Sequence, residues 1–211
     1  MTEYIYQIIS RILVVVMLLP VHEFAHAYIA YKLGDNTANY SGRMTLNPLA
    51  HFDPIGTTLI VLTGVGWAKG VPINPRNFKD RKLGMGLSAL AGPVSNILMS
   101  YILLLIIKLF TFIIPHVNLN EQAVAIVISV IYQMSVTSVM LAVFNMIPLP
   151  PLDGSKIALM VLPYKWYFKV LQYERYAYIA LIVVMFTRIL NTPISYATSY
   201  IFRGLMFLAG L

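Results

Sequence analysis

The chain has 211 residues, of which 59% are hydrophobic and 11% are charged, and its 15 Lys and Arg outnumber its 8 Asp and Glu to give a net charge of +7. About a quarter of the residues in a typical soluble domain are charged, so this composition excludes an ordinary soluble protein. The length suits a single domain, and we expect residues 1–211 to form one integral-membrane domain.

The first predicted element is a long helix over residues 4–33, bent at Pro20 and ended by Gly34, where a left-handed cap fits. It lacks the positively charged start of a signal peptide, so we expect it to be retained. A polar segment follows, in which residues 39–46 predict one or two short strands. Residues 55–68 then form an apolar run of only 14 residues, which suits a re-entrant or half-spanning element.

Four more apolar segments are predicted to lie in the membrane, at residues 83–114, 122–146, 176–190 and 194–208. A short interfacial helix is expected within residues 155–171, where aromatic side chains suit the lipid headgroup level. The predicted fold class is therefore an all-α polytopic membrane protein. We expect about five to six membrane segments, one of them re-entrant, and a small β element after the first helix.

The distribution of Lys and Arg predicts the orientation in the membrane. Loops 69–82 and 148–175 are basic and are expected in the cytoplasm, whereas the connection 115–122 has no Lys or Arg and is expected outside. The N-terminus is then also outside. Because the cations lie in short loops and form no patch interleaved with aromatic residues, we expect no nucleic-acid partner.

The sequence His22-Glu23-Phe24-Ala25-His26 is the most informative motif of the chain. Histidines four residues apart lie on one helix face, about 6 Å apart along the axis, so both imidazoles can reach one tetrahedral zinc ion. Glu23 stands beside this face and suits a base that takes a proton from a water activated by the metal. Ionisable residues so deep in an apolar helix cost about 2.5–3.5 kcal/mol each, which favours a function over a solvated helix face.

A catalytic zinc site uses three protein ligands, so one more is needed. Since the chain has no cysteine, the candidates are Asp153, His51, Asp53 and His116, the last of which is expected on the opposite side of the membrane. Asp153 follows a helix end in a proline-rich segment, but Asp-Gly is also a common turn dipeptide, and the pattern alone favours neither interpretation. For His51 and Asp53, loop hydrogen bonds or support of a metal ligand are favoured over direct binding.

Three motifs, in this order, resemble those of the site-2 protease family, the intramembrane zinc metalloproteases. They are His22-Glu23-x-x-His26, Ala91-Gly92-Pro93-Val94-Ser95-Asn96 and Asn145-Met146-Ile147-Pro148-x-x-Pro151-Leu152-Asp153-Gly154. Residues 47–54 are similar to the compact prokaryotic branch, which has no extra sensor domain, and the resemblance covers roughly residues 5–190. Many relatives have a second glycine where this chain has Ser155.

The resemblance implies that Asp153 is the third ligand of a single zinc ion, that Glu23 is the catalytic acid and base, and that the active site opens toward the cytoplasm. It also places Asn145 close to the active site, where an amide can hold an extended substrate or stabilise the oxyanion. For Asn96, the same roles and a simple interhelical hydrogen bond are equally favoured. His51 is expected to support the metal ligands through hydrogen bonds.

The predicted function is that of an intramembrane zinc metalloendopeptidase, which hydrolyses peptide bonds within or near transmembrane segments of membrane-protein substrates in regulated intramembrane proteolysis. The strands at 39–46 would receive the unwound substrate by edge pairing. Membrane lipid of a prokaryotic plasma membrane is the expected surrounding, and a homo-oligomer is left open. The alternative is a zinc transporter with the same ligands, although a single triad beside a base suits ion release poorly and no inverted repeat is visible.

Overall fold

The computed structural model describes residues 2–63, 66–114, 117, 120–163, 176, 181, 187 and 189–211. This part of the chain is mostly helical and contains no β-strand. Its α-helices are α1 (Thr2–Leu13), α2 (Leu19–Lys32), α3 (Thr37–Tyr40), α4 (Pro54–Thr63), α5 (Arg81–Ile113), α6 (Glu121–Asn145), α7 (Asp153–Val161) and α8 (Asn191–Ala209). A π-helical turn at Val14–Leu18 joins α1 to α2, and 3-10 turns lie at Pro48–His51 and Pro75–Asn77.

Three helical stretches within the described residues are long and apolar enough to cross a membrane, namely Ile5–Lys32, Arg81–Ile113 and Glu121–Asn145. They coincide with three of the predicted membrane segments, whereas the predicted total of five to six is not confirmed. α8 covers the predicted segment 194–208 but is not among the three. Most of the predicted segment 176–190, and the aromatic part of the predicted interfacial helix, lie outside the described residues.

α5 is the central helix and packs against α2, α6, α7 and α8. Leu104 and Ile107 of α5, Val139 of α6, and Phe202 and Leu205 of α8 form one buried apolar cluster. Lipid tails are as apolar as these side chains, so close packing and buried hydrogen bonds, rather than escape from water, hold such helices together.

Buried serine hydroxyl groups fix α6 against α5. Ser135 Oγ donates to the backbone oxygen of Ser100 at 3.0 Å, and the hydroxyl groups of the two residues lie 2.8 Å apart. One turn away, Ser138 Oγ donates to the backbone oxygen of Asn96 at 2.7 Å. Each such bond contributes about 1 kcal/mol in a membrane. Together they set the register of the two helices at the level of Asn96.

Near Pro20, where a bend is predicted, the helix contains the π-helical turn Val14–Leu18, which ends two residues before the proline. Proline has no N–H to donate to the carbonyl four residues earlier, and its ring clashes with that carbonyl. A wider turn accommodates both defects, and π turns recur beside functional sites. Beyond the turn α2 is regular, and Gly34, with φ of 105°, follows its end as the predicted left-handed cap.

The strands predicted for residues 39–46 are wrong, because this segment forms the end of α3 followed by turns. Asp35 accepts hydrogen bonds from both the backbone N–H and the hydroxyl of Thr37. Ser41 Oγ donates back to the carbonyl of Thr37 at 2.9 Å, and Gly42, with φ of 67°, closes the turn. Side-chain to backbone bonds of this kind compete with strand pairing, which the weak alternation of the sequence does not overcome.

The two ends of residues 54–69 lie close together, which is compatible with the predicted re-entrant element. The 10 residues of α4 span about 15 Å, half of a bilayer core. The N–H of Lys69 then donates to the backbone oxygen of His51 at 2.9 Å, which brings both ends of the element together. A Cβ on Gly56 would lie 2.3 Å from the backbone oxygen of Trp67, so only glycine allows the returning chain to pass this closely.

Arg11 of α1 completes this element from the neighbouring helix. Its guanidinium donates to the backbone oxygen of Leu62 at 3.0 Å and approaches that of Val61 at 3.4 Å. These carbonyls belong to the last turn of α4, where no further N–H of the helix is available. In lipid, unsatisfied backbone groups cost several kcal/mol, so a cation at this helix end both supplies hydrogen bonds and complements the helix dipole.

Candidate metal centre

His22 and His26 lie one turn apart on the buried face of α2. Their Nε2 atoms are 3.0 Å apart, and the two rings meet edge to face with centroids 4.5 Å apart. The four-residue spacing of a helix produces this arrangement, as the sequence predicts. Both imidazoles therefore point toward one position between α2 and α5.

Asp153 reaches the same position from α7, where it is the first helical residue. Its Oδ2 lies 3.4 Å from Nε2 of His22 and 3.1 Å from Nε2 of His26. The chain turns tightly between α6 and α7, since a Cβ on Gly154 would lie 2.2 Å from the backbone oxygen of Met146. Gly154 therefore allows the carboxylate to return to α2 only eight residues after α6 ends at Asn145.

The three side chains fit a tetrahedral metal ion. Ligand atoms about 2.0–2.2 Å from a zinc ion lie about 3.3–3.5 Å apart in a tetrahedron, and the observed separations are 3.0, 3.1 and 3.4 Å. His26 Nδ1 must donate its proton to the backbone oxygen of Ser88, 2.7 Å away, which leaves the Nε2 of neutral His26 as a bare lone pair. Lone pairs and a carboxylate oxygen that converge in this way suit a divalent cation. Among the described residues, this is the one such group of three.

The electrostatics agree with a carboxylate at this site. Burial by itself would raise the pKa of Asp153, but hydrogen bonds and charge from His22 and His26, when these rings are protonated, outweigh it and hold the pKa below its ordinary value. The second oxygen, Oδ1, lies 4.0 Å from the ammonium group of Lys156. Asp153 is therefore ionised at neutral pH and directs one oxygen at the two imidazoles.

Gly92 forms the wall of the site on α5. A Cβ at this position would lie 2.4 Å from Nε2 of His26 and 2.5 Å from Cε1 of His22. The sequence pattern indicates only close helix packing for Gly92 and the alanines beside it. The structure adds that the two imidazoles occupy the space that any other residue would fill.

Glu23 is buried beside the three side chains and has a backbone partner. Its Oε2 accepts a hydrogen bond of 2.8 Å from the N–H of Val71. A Cβ on Gly70 would lie 3.8 Å from the same oxygen, so the chain runs directly past the carboxylate. We call residues 66–77, which leave the re-entrant element and pass Glu23, the return segment. Nothing in the sequence near the motif predicts this contact, since the two residues are 48 positions apart.

Two side chains of the preceding loop hold the return segment in place. Arg43 donates to the backbone oxygens of Lys69 and Gly70, the latter at 3.2 Å. Asp35 accepts from the N–H of Asn74 and from the side chain of Asn77, both at 2.7 Å. The residues after α2 therefore determine how the chain passes Glu23.

Of the other predicted site residues, Asn96 contacts one of the three side chains, whereas Asn145 and His51 bond to backbone elsewhere. Asn96 contacts Nδ1 of His22 at 3.1 Å, on the far side of that ring from Asp153. Asn145 donates to the backbone oxygen of Leu141 on its own helix at 3.0 Å. His51 is buried, and its Nε2 bonds the backbone oxygen of Thr45 at 2.9 Å.

The sequence also offers Asp53 and His116 as alternative ligands. Asp53 accepts from the N–H groups of Ile55 at 3.1 Å and Gly56 at 2.7 Å, so it caps the start of α4. His116 lies outside the described residues. Asp53 is not part of the group formed by His22, His26 and Asp153.

Comparison with known proteins supplies the family. Residues 112–190 match the model described as "Peptidase family M50". A protein of Bacillus subtilis (strain 168), "Putative zinc metalloprotease YwhC", is 40% identical over 169 residues, which are 79% of this chain and 75% of that protein. The chain belongs to peptidase family M50. Its predicted membership of the site-2 protease family is thereby confirmed, and so is its assignment as a metalloprotease.

Other M50 relatives are more distant and longer. "Putative zinc metalloprotease Rip2" of Mycolicibacterium smegmatis is 29% identical over 143 residues, 65% of this chain and 51% of that protein. Its namesake in Mycobacterium tuberculosis (strain ATCC 25618 / H37Rv) is 26% identical over 138 residues, 63% of this chain and 49% of that protein. No solved structure matches this chain. None of these M50 relatives supports the alternative of a zinc transporter.

Proposed function

We propose that this integral membrane protein is a zinc endopeptidase that hydrolyses peptide bonds within or near transmembrane segments of other membrane proteins. The observation that carries the proposal is the convergence of His22, His26 and Asp153. Both histidines, and Glu23 between them, lie inside a helix long enough to span a membrane. His22 is 11 residues before Leu33, so it lies about 16 Å along the helix from that end. That depth suits a scissile bond within the bilayer rather than in a soluble chain.

His22, His26 and Asp153 would hold one zinc ion. When bound, the ion supplies Lewis acidity, which makes water more acidic and a substrate carbonyl more electrophilic. Ser88 and Asp153 contribute through position and charge: the Ser88 carbonyl holds the ring of His26, and the carboxylate offsets the charge of the cation. We propose that residues 1–211 carry these functions in a single domain.

Glu23 is the proton carrier in this proposal. One of its oxygens is held by the N–H of Val71, so the other can accept a proton from the attacking water and pass it to the leaving amine nitrogen. Asn145, at the end of α6, would bind the substrate backbone or its developing oxyanion through its amide. His51 would support the loop that joins α3 to the re-entrant element.

The substrate must lose helical structure before it can react. A peptide bond in a helix is shielded by its own hydrogen bonds, so Gly, Pro or polar residues in the substrate span should assist cleavage. We further propose a prokaryotic plasma membrane as the location and an active site open to the cytoplasm, on the basis of the loop charges.

Replacing the proposed base tests this function directly. In proteoliposomes that also hold a single-span membrane protein with Gly or Pro in its span, we expect Glu23→Gln to lower the cleavage rate by about 10²–10⁴-fold, because the amide cannot accept the proton. Zinc content should be unchanged. Glu121→Gln, at the exposed start of α6, is the matched control and should cleave normally. Cleavage by Glu23→Gln at the normal rate would exclude Glu23 as the base.

The ligand set needs a separate measurement. We expect Asp153→Asn to lower the zinc content of the purified protein, because a neutral amide is a poor zinc ligand. Asp53→Asn is its control, since asparagine caps a helix as well as aspartate does. Stoichiometric zinc in Asp153→Asn would direct attention to His51 as the third ligand. Zinc flux into liposomes without proteolysis would contradict the endopeptidase function.

A further inference from the structure

The side chain of Asn96 is almost completely buried, at 1% exposed, and faces His22 across the interface of α5 and α2. Its Nδ2 lies 3.1 Å from Nδ1 of His22. Its Oδ1 has no hydrogen-bond partner in the part of the chain that the structure describes. A buried amide oxygen without a partner costs about 1–3 kcal/mol, so this arrangement requires an explanation.

The tautomer of His22 determines which atom of the Asn96 amide, Nδ2 or Oδ1, can bond to Nδ1 of this histidine. If Nδ2 donates to Nδ1, the proton of a neutral His22 lies on Nε2, the nitrogen that faces His26 and Asp153. A protonated Nε2 has no lone pair for a metal. Rotation of the amide by 180° about χ2 exchanges Nδ2 and Oδ1 at almost the same positions. Oδ1 then accepts a proton held on Nδ1, and Nε2 becomes a bare lone pair.

The neighbouring histidine already has the corresponding arrangement. Nδ1 of His26 donates to the backbone oxygen of Ser88, an atom that can only accept. Within the part of the chain that the structure describes, the side chain of Asn96, and not a backbone carbonyl, contacts Nδ1 of His22. Ser138 of α6 holds the backbone oxygen of Asn96 at 2.7 Å, which fixes the position of the asparagine between three helices.

We propose that Asn96 is a positioning residue for the metal centre. In the metal-loaded protein its Oδ1 accepts the Nδ1 proton of His22, which fixes the ring and presents Nε2 to the ion. This inference rests on the ligand set given under Proposed function and adds to it the residue that selects the tautomer of one ligand. It differs from both roles that the sequence leaves equally favoured for Asn96, namely a simple interhelical hydrogen bond and a contact with the substrate or oxyanion.

Zinc affinity of the purified, full-length protein tests the proposal, measured by competition with a chelating dye. Asn96→Leu keeps the shape of the side chain but removes the acceptor, and should weaken zinc binding by about 10–100-fold, the usual effect of losing such a partner. Asn96→Asp keeps an acceptor and should bind zinc within a few-fold of the original protein. Ser100→Ala, which removes a buried hydrogen bond one turn along α5, is the control and should leave zinc affinity unchanged.

The outcomes separate this proposal from the ligand set. The proposal for Asn96 is overturned if Asn96→Asp and Asn96→Leu weaken zinc binding equally, or if Asn96→Leu leaves the affinity unchanged. His22→Ala should lose zinc in either case if the ligand set is right. If His22→Ala kept full affinity, the ligand set itself would be wrong, and the role of Asn96 with it. Nitrogen-15 spectra of histidine in the zinc-loaded protein give a second measurement, in which the Nδ1 proton of His22 should be present. A proton on Nε2 instead would contradict the proposal.

Discussion

Gly92 leaves no space between α5 and the two imidazoles, and this gives a prediction about a single methyl group. In Gly92→Ala the Cβ would lie 2.4 Å from Nε2 of His26, so the imidazole rings must move away from α5. We expect zinc affinity to fall by about 10–100-fold, as it does when the support of a ligand is lost, and proteolysis to fall with it. Chelator competition measures the first effect.

A second glycine provides the control. Gly204 lies inside α8, and a Cβ there would meet no atom of the described residues within 4 Å. Because alanine favours a helix by about 0.5–1 kcal/mol over glycine, Gly204→Ala should raise the thermal stability slightly and leave zinc affinity unchanged. Equal zinc affinity in the two variants would mean that the rings near Gly92 adjust without loss.

Among the elements, α4 depends on a residue of another helix. Removing the guanidinium in Arg11→Leu leaves the carbonyls of Val61 and Leu62 without this donor. A hydrogen bond from a charged donor contributes about 1.5–3 kcal/mol, so we expect the last turn of α4 to open more often. Hydrogen exchange of residues 57–63 should become faster, whereas Arg203→Leu, at an exposed position of α8, should leave it unchanged. Unchanged exchange in Arg11→Leu would show that other contacts hold this helix end.

The return segment is held by Asp35, and its attachment should depend on pH. Burial would raise the pKa of Asp35, but hydrogen bonds from Thr37, Asn74 and Asn77 lower it overall. The charged form is therefore bound more strongly in the folded protein, and its contribution is complete above the ordinary aspartate pKa of about 3.9. It is lost as the pH falls below that value and through the lower pKa of the folded state.

Asp35→Asn should imitate the low-pH state at neutral pH, because asparagine has one acceptor oxygen where the carboxylate uses two. We expect faster hydrogen exchange at Val71 and easier proteolysis within residues 69–82. Asp80→Asn is the control, since Asp80 caps α5 through Lys82 and Leu83, and asparagine caps equally well. If hydrogen exchange and proteolysis are the same in both variants at neutral pH, Arg43 and the contact with Glu23 are sufficient to hold the return segment.

For the whole molecule, the loop charges predict opposite sides for two connections. A reporter inserted at Val117 should be accessible from outside, and one inserted after Pro163 should be accessible from the cytoplasm. Cysteine accessibility in intact cells measures both, and the absence of native cysteine gives a clean background. A cytoplasmic label at position 117 would reverse the proposed orientation and place the active-site opening outside.

The sequence predicts those parts of the molecule that local patterns determine. The three long helices follow from apolar length, and the pairing of His22 with His26 follows from helical spacing. The local pattern does not decide whether Asp153 is a turn residue or a ligand, because its return to α2 depends on the packing of Gly154 against Met146.

Contacts between distant segments could not be predicted in this way. The hydrogen bond from Val71 to Glu23 and the contact of Asn96 with His22 join residues 48 and 74 positions apart. The strands expected at 39–46 failed for a related reason, since Asp35 and Ser41 offer that backbone local hydrogen bonds that a strand pattern does not include. Hydrogen bonds between residues that are far apart in the chain leave no periodic pattern in the sequence.

The hydrogen bond to Glu23 comes from a main-chain N–H, and all amino acids except proline carry that group. The side chain at position 71 can therefore be exchanged for almost any other while the carboxylate keeps its donor. A mutational scan of this position would register only the effects of side-chain size and polarity, with proline as the single substitution that deletes the bond. The fixed orientation of the acid is thus compatible with a freely varying neighbour.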